Sequence, residues 1–175
     1  LTTATPSPLP PPCPPAARAP ALRIRTAGAG DAAGLAELSR PFARSGQLRE
    51  RPDALYAARA AEFLVAAGPG GGLEGCVGLR VYADGPAGEP APTGVLYNFC
   101  VAGHRQGRGV GAALLRTALA LARTRSLGAL FTATTGDGRL FRRYGFTPVT
   151  VRQAPRPWAE SLDPRRNALI LARML

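Results

Sequence analysis

Six consecutive residues, Gln106-Gly107-Arg108-Gly109-Val110-Gly111, hold the clearest chemistry in the chain. Three glycines at alternate positions stand between a buried-strand pattern, residues 95–101, and a helical run opening at Val110. Without Cβ atoms, the backbone amides of such a segment can close on an anion. The first amides of the following helix have no intrahelical acceptor and carry the positive end of the helix dipole. Together these groups make a pyrophosphate cradle, with Arg105 and Arg108 adding charge at its rim. The plainer alternative is a glycine-rich connection that only turns the chain.

Two rival phosphate loops are excluded by their own requirements. A Walker A loop needs a lysine, and the chain contains none. The dinucleotide spacing G-x-G-x-x-G/A is met by Gly107, Gly109 and Ala112. That fingerprint belongs after the first strand of a βαβ unit, with an acidic ribose ligand about 20 residues further on. Here the loop follows a fourth strand, and Gly128, Ala129 and Leu130 occupy the acidic region.

The elements that must position this loop are legible from periodicity. Residues 1–21, with Pro10-Pro11-Pro12 and Pro14-Pro15, read as a disordered, Pro-rich arm outside the fold. Alternation at Leu22-Arg23-Ile24-Arg25 predicts the first strand. Asp31 is expected to cap a helix over 32–39, and a second helix is predicted over 53–60. Strands at 63–66 and 73–82 flank a turn at 68–72, and a polar Gly/Pro loop spans 84–92. After strand 95–101 and the glycine loop come a helix at 110–125, a strand at 129–134 and a short helix at 139–143. Strands at 147–151 and 168–174 close the chain. The order β-α-α-β-β-β-α-β-α-β-β is a mixed α/β sheet, neither doubly wound nor a barrel.

Composition narrows the partners. A net charge of +11 suggests a polyanion, yet the arginines are dispersed and aromatics are only 6% of the chain, so a nucleic-acid partner is not expected. A small coenzyme bearing several phosphates accounts for the same charge. No apolar run approaches bilayer length, so no membrane is expected. Cys13, Cys76, Cys100 and the single His104 lack metal-ligand spacing, and no metal is expected. The odd cysteine count fits reduced thiols in a cytoplasmic setting.

Gln-x-x-Gly-x-Gly after a buried fourth strand, with Phe141-x-x-Tyr144-Gly145-Phe146 further on, resembles the GNAT acetyltransferase superfamily. The resemblance covers residues 22–175. It implies the GNAT (acyl-CoA N-acyltransferase) fold: a mixed, mostly antiparallel sheet with splayed central strands, flanked by helices. It implies acetyl-CoA as co-substrate, bound by Gln106, Gly107, Arg108, Gly109, Val110 and Gly111 with Ala112 opening the helix. Backbone groups near Cys100 and Val101 would pair with the pantetheine arm.

Separated segments resemble, more narrowly, the acetyltransferase domain of bacterial N-acetylglutamate synthases. They are Ser39-Arg40-Pro41-Phe42, Gly46-Gln47-Leu48-Arg49, Glu62-Phe63-Leu64-Val65 and Gly75-Cys76-Val77-Gly78-Leu79, then 130–135 and 164–171. This implies an amino-acid N-acetyltransferase of amino-acid and arginine biosynthesis, with a small-molecule amine as partner, glutamate favoured. Arg49 and Arg165 would bind the substrate carboxylates, with Asn167 at a Ser-like position and Arg80 as a further candidate. The alternative for each arginine is a solvated surface charge. With only 11 acidic residues, the chain is a poor match for polycationic substrates, whereas arginine forks suit carboxylates.

Two departures leave the proton acceptor open. Val95 stands where the family has a glutamate, and Phe141 where the superfamily has a tyrosine. Thr134, Tyr97 and Tyr144 are the side-chain candidates, with water as the other route. Other readings are a different acceptor on the same fold, such as a protein N-terminus or an amino-acid-like antibiotic, and a non-catalytic acyl-CoA-binding regulatory domain. Whether the chain works as a homodimer is open from sequence.

Overall fold

Alternating apolar residues build one sheet, and the computed structural model describes it over residues 22–83 and 91–175. The Pro-rich arm, Cys13 and most of the expected 84–92 loop lie outside the described residues. Seven strands are present: β1 (Arg23–Thr26), β2 (Phe63–Ala67), β3 (Leu73–Tyr82), β4 (Thr93–Val101), β5 (Ala129–Thr134), β6 (Thr147–Pro148) and β7 (Leu169–Met174). They lie in the order β1-β2-β3-β4-β5-β7-β6. Every pairing is antiparallel except β4 with β5. The helices are α1 (Ala32–Arg44), α2 (Asp53–Ala58), α3 (Val110–Thr124), α4 (Arg139–Arg143) and α5 (Arg156–Ser161).

The amphipathic stripe of α3, with Leu114, Leu115, Ala118 and Ala122 all fully buried, covers one face of the sheet against Leu64, Val77, Leu79 and Leu96. Leu35 of α1 and Tyr56 of α2 cover the other face against Phe63, Val65 and Cys76. A third cluster joins Trp158 of α5 to Phe131 and Val95. Full burial of side chains this size contributes about 1.5–3 kcal/mol each, and both faces of the central strands are therefore closed.

Several elements depart from the sequence expectation. Helix α1 does not stop at Ser39 but runs through Pro41 to Arg44. The carbonyl that Pro41 leaves without its helical partner belongs to exposed Glu37, a position open to solvent. Asp31 does not cap α1 with its side chain. Its carboxylate instead accepts from the Gly28 amide at 2.8 Å and pairs with Arg25 at 2.7 Å. Strand β6 is two residues long rather than five; the Val149 amide still bonds the Ile170 carbonyl at 3.0 Å, after which the chain turns into the short helical segment at Val151–Gln153. Helix α5 lies in a segment where no element was expected from sequence. Pro157 is tolerated in the first turn, where amides have no intrahelical acceptor.

Candidate functional site: a loop and a cleft on one strand

Strand β4 carries both halves of the site. Cys76 pairs with Cys100 and Gly78 with Tyr97, so β4 has one more residue than β3 between those two rungs. This is a β-bulge, which bends the strand that bears it. Asn98 within it adopts φ +50°. Beyond the bulge β4 leaves its parallel neighbour: the β4–β5 register covers only Thr93–Leu96 against Ala129–Thr132, although β4 continues to Val101 and β5 to Thr134. The two strands are splayed, as the resemblance implied.

At the far end of β4 the glycine loop is built as its residue types demand. Gly107 and Gly109 have φ of +73° and +83°, and no heavy atom lies within 4 Å of where a Cβ would sit. The first intrahelical bond of α3 runs from the Ala113 amide to the Gly109 carbonyl, so the amides of Val110, Gly111 and Ala112 precede it. Gly111 approaches β4 and α4 closely; a Cβ there would meet Leu140 at 3.3 Å. The Gln106 side chain donates to the Val101 carbonyl at 3.0 Å and so pins the loop to β4. Arg105, expected at the rim, is held by Glu74 of β3 at 2.5 Å. Arg108 is exposed beside the turn.

Where β4 and β5 part, a cleft of about 750 Å³ opens. Its walls come from the α1–α2 connection, the ends of β3, β4 and β5, helix α5, and the segment before β7. Five arginines line it, Arg49, Arg51, Arg59, Arg80 and Arg166, against two carboxylates, Glu50 and Asp163. The cleft is therefore a positive field in a partly apolar, partly desolvated setting, where a carboxylate gains more than it would in water.

The arginines are not equivalent. Arg80 bonds Glu62 at 3.2 Å and is largely neutralised. Arg49 donates to the Ser161 carbonyl at 2.8 Å, and Arg166 to the carbonyls of Gly46 and Gln47 at 2.8 and 3.1 Å. These contacts tie the α1–α2 connection to the segment after α5. Arg51 is half-buried and takes part in none of the five ion pairs among the described residues. Burial pulls its pKa down, although a guanidinium stays charged. Arg51 and Arg80 both lie over the Tyr97 ring, at 5.3 and 5.0 Å from its centroid, each a cation–π contact.

The other expected site residues are placed as follows. Arg165 is exposed and does not line the cleft, whereas its neighbour Arg166 does; Asn167 lines it too. Tyr97 lines the cleft, but its hydroxyl donates to Glu62 at 2.6 Å. Burial and that bond push the phenol well up, which keeps it a donor rather than a base. The Tyr144 hydroxyl accepts from Arg116 of α3 at 3.0 Å, away from the cleft. The Thr134 hydroxyl accepts from the Gly136 amide at 3.1 Å, and its neighbours Ala133 and Thr135 line the cleft instead. Cys100 faces the α1–α2 core, 3.6 Å from the Cys76 sulfur. That contact and burial push its thiol up. Among the described residues, no group of three metal-ligating side chains converges, and no helix is long and apolar enough to cross a membrane.

The model of the acetyltransferase (GNAT) family matches residues 32–146. The chain belongs to the GNAT acetyltransferase family. Its similarity extends to the amino-acid acetyltransferase of Pseudomonas aeruginosa PAO1, 31% identical over 153 residues, covering 87% of this chain and 34% of that one. The chain thus spans about a third of the length of these curated relatives. The GNAT-family neighbours of known structure include an N-acetylglutamate synthase from Neisseria gonorrhoeae complexed with coenzyme A and N-acetyl-glutamate. It superposes with a TM-score of 0.80 and 27% identity, over 90% of this chain and 36% of that one. Rv2747 from Mycobacterium tuberculosis, in complex with CoA and NLQ, shares the fold at TM-score 0.71 and 23% identity, covering 87% and 99% of the two chains.

Residues absent from the sequence expectation are Arg51, Glu62, Asn98 and the α5 wall. Arg51 stands two positions from Arg49 and the Glu62 segment was already singled out, but their pairings are long-range and leave no local signature.

Proposed function

We propose that the protein is an acetyl-CoA-dependent N-acetyltransferase that acts on the amino group of a small acidic amino acid, with glutamate favoured, by direct attack in a ternary complex. The observation that carries this reading is the arginine-lined cleft where β4 and β5 part, on the same strand that ends in the glycine loop.

The fit to coenzyme A rests on Gly107 and Gly109. Their left-handed conformations, with open space above them, leave room for a pyrophosphate against the amides of Val110, Gly111 and Ala112. Arg108 adds charge at the edge. The bound coenzyme supplies an acetyl thioester. Backbone groups of Val101 and Cys100, on the edge of β4 that β5 leaves free, would hold the pantetheine arm and so direct its acyl group toward the splay.

Acceptor recognition falls to Arg51 first, because its half-buried charge has no carboxylate partner among the described residues. Arg49, Arg166 and Asn167 flank it, and Arg80 supports the Tyr97 face. Held by its carboxylates, the substrate presents its free amine to the acyl carbon. Proximity of this kind replaces much of the entropic cost of the bimolecular step. The amine proton leaves through water in the open cleft, since the hydroxyls of Tyr97, Tyr144 and Thr134 are engaged elsewhere.

A second reading, a non-catalytic acyl-CoA-binding regulatory domain, is favoured by the buried Val95 at the position of the family's glutamate. Coenzyme A release measured with acetyl-CoA and a panel of free amino acids separates the two. Turnover with glutamate or aspartate and not with lysine or alanine supports the acidic acceptor. Retained coenzyme binding with turnover on no amine sinks it in favour of the regulatory domain.

A further inference from the structure

Asn98 is 4% exposed and holds a backbone conformation that L residues with a Cβ seldom take. Its side-chain amide is also fully engaged. Nδ2 donates to Ser39 Oγ of α1 at 2.8 Å and lies 3.6 Å from Cys76 Sγ. Oδ1 accepts from Tyr56 Oη of α2 at 3.3 Å and from Arg51 Nη1 at 3.4 Å. Arg51 can only donate, which fixes the orientation of the amide. One residue thus forms the bulge of β4 and touches α1, α2 and the connection between them.

We infer that Asn98 is a positioning residue that sets Arg51 in the acceptor cleft against the splay of β4. The argument is geometric. The bulge decides where β4 leaves β5, and so where an acyl group could meet an amine. The Asn98 amide carries that position into Arg51, whose other anchors among the described residues are the Arg49 carbonyl at 3.2 Å and the Tyr97 face. Buried amides that satisfy all their partners hold one arrangement, because every alternative strands a polar group out of water. A strand glycine would supply the left-handed backbone without the link. An alanine would supply neither. The role of Arg51 rests on the acidic-acceptor reading, whereas its placement by Asn98 does not.

The test uses Asn98→Gly and Asn98→Ala in the full chain, with L-glutamate as acceptor. Asn98→Gly should raise the glutamate KM about tenfold, as the loss of one contact to a charged group would, and leave the acetyl-CoA KM within about twofold. Asn98→Ala should add a fall in kcat as the bulge relaxes. In an Arg51→Ala background, Asn98→Gly should raise the glutamate KM no further. A merely structural asparagine would move both KM values, or neither, and would ignore the Arg51 background. An unchanged glutamate KM in Asn98→Gly overturns the inference. Hydrogen exchange on the free protein supplies a readout that needs no substrate. Protection across residues 47–52 should drop in Asn98→Gly while residues 106–112 keep theirs, and unchanged protection at 47–52 also overturns it. If exchange responds as expected but the wild type acetylates no acidic amino acid, the functional reading fails and the positioning role stands.

Discussion

The ring of Tyr97 lies across the α-carbon of Gly78: a Cβ at Gly78 would stand 2.5 Å from the ring carbons. The ring cannot swing aside freely, because Glu62 holds its hydroxyl, Phe63 packs edge-on at 5.3 Å, and two guanidiniums stack on it. Gly78→Ala should therefore cost about 1–3 kcal/mol of stability through overpacking, read from urea unfolding. It should also weaken acceptor binding, because Arg51 and Arg80 lose the surface they stack on. Wild-type stability and acceptor KM together would show that the ring moves without consequence.

The glycine loop makes the opposite kind of demand. At Gly109 there is room for a methyl group but φ is +83°, so Gly109→Ala is strained rather than blocked. The left-handed conformation costs an alanine roughly 1–2 kcal/mol. Relaxation of the turn should raise the acetyl-CoA KM about tenfold and leave the glutamate KM nearly unchanged. Equal effects on both substrates would mean that the loop serves the fold and not the coenzyme.

The arginines of the cleft should divide by their partners. Arg51 is a half-buried charge lining the cleft, and on the proposed reading Arg51→Ala should raise the glutamate KM by roughly thirtyfold, about 2 kcal/mol. Arg165→Ala, at an exposed position outside the cleft, should change it little. Steady-state kinetics on the two variants decides between them, and the reverse ranking would return the carboxylate contact to Arg165.

Direct transfer needs no acyl-enzyme. The Cys100 thiol faces the core beside Cys76 and is pushed up by that contact and by burial, which leaves it a poor nucleophile. Cys100→Ala should retain most of the activity, with a stability loss on the order of 1 kcal/mol for the atoms removed. Loss of turnover in a variant that stays folded would contradict the ternary mechanism.

The glycine loop and the order of the elements were legible in the sequence because both depend on neighbours along the chain. Glycines at 107 and 109, a buried strand before them and an apolar period of 3.6 after them are local facts, and local facts settled the turn and the helix. The cleft is different in kind. Arg51 reaches Asn98 across 47 positions, Tyr97 reaches Glu62 across 35, and Arg49 reaches Ser161 across 112. Helix α5 has no counterpart among the sequence expectations, and in the fold its Trp158 packs on Phe131 at 6.3 Å. The resemblance pointed to Arg165; the short helical turn at Pro164–Arg166, ended by Asn167 at φ +44°, turns its neighbour Arg166 toward the cleft instead. The sequence alone established a strand, a glycine loop and a helix. Only tertiary packing decided which charges face the cleft, because side-chain pairing across strands is set by register and burial rather than by spacing along the chain.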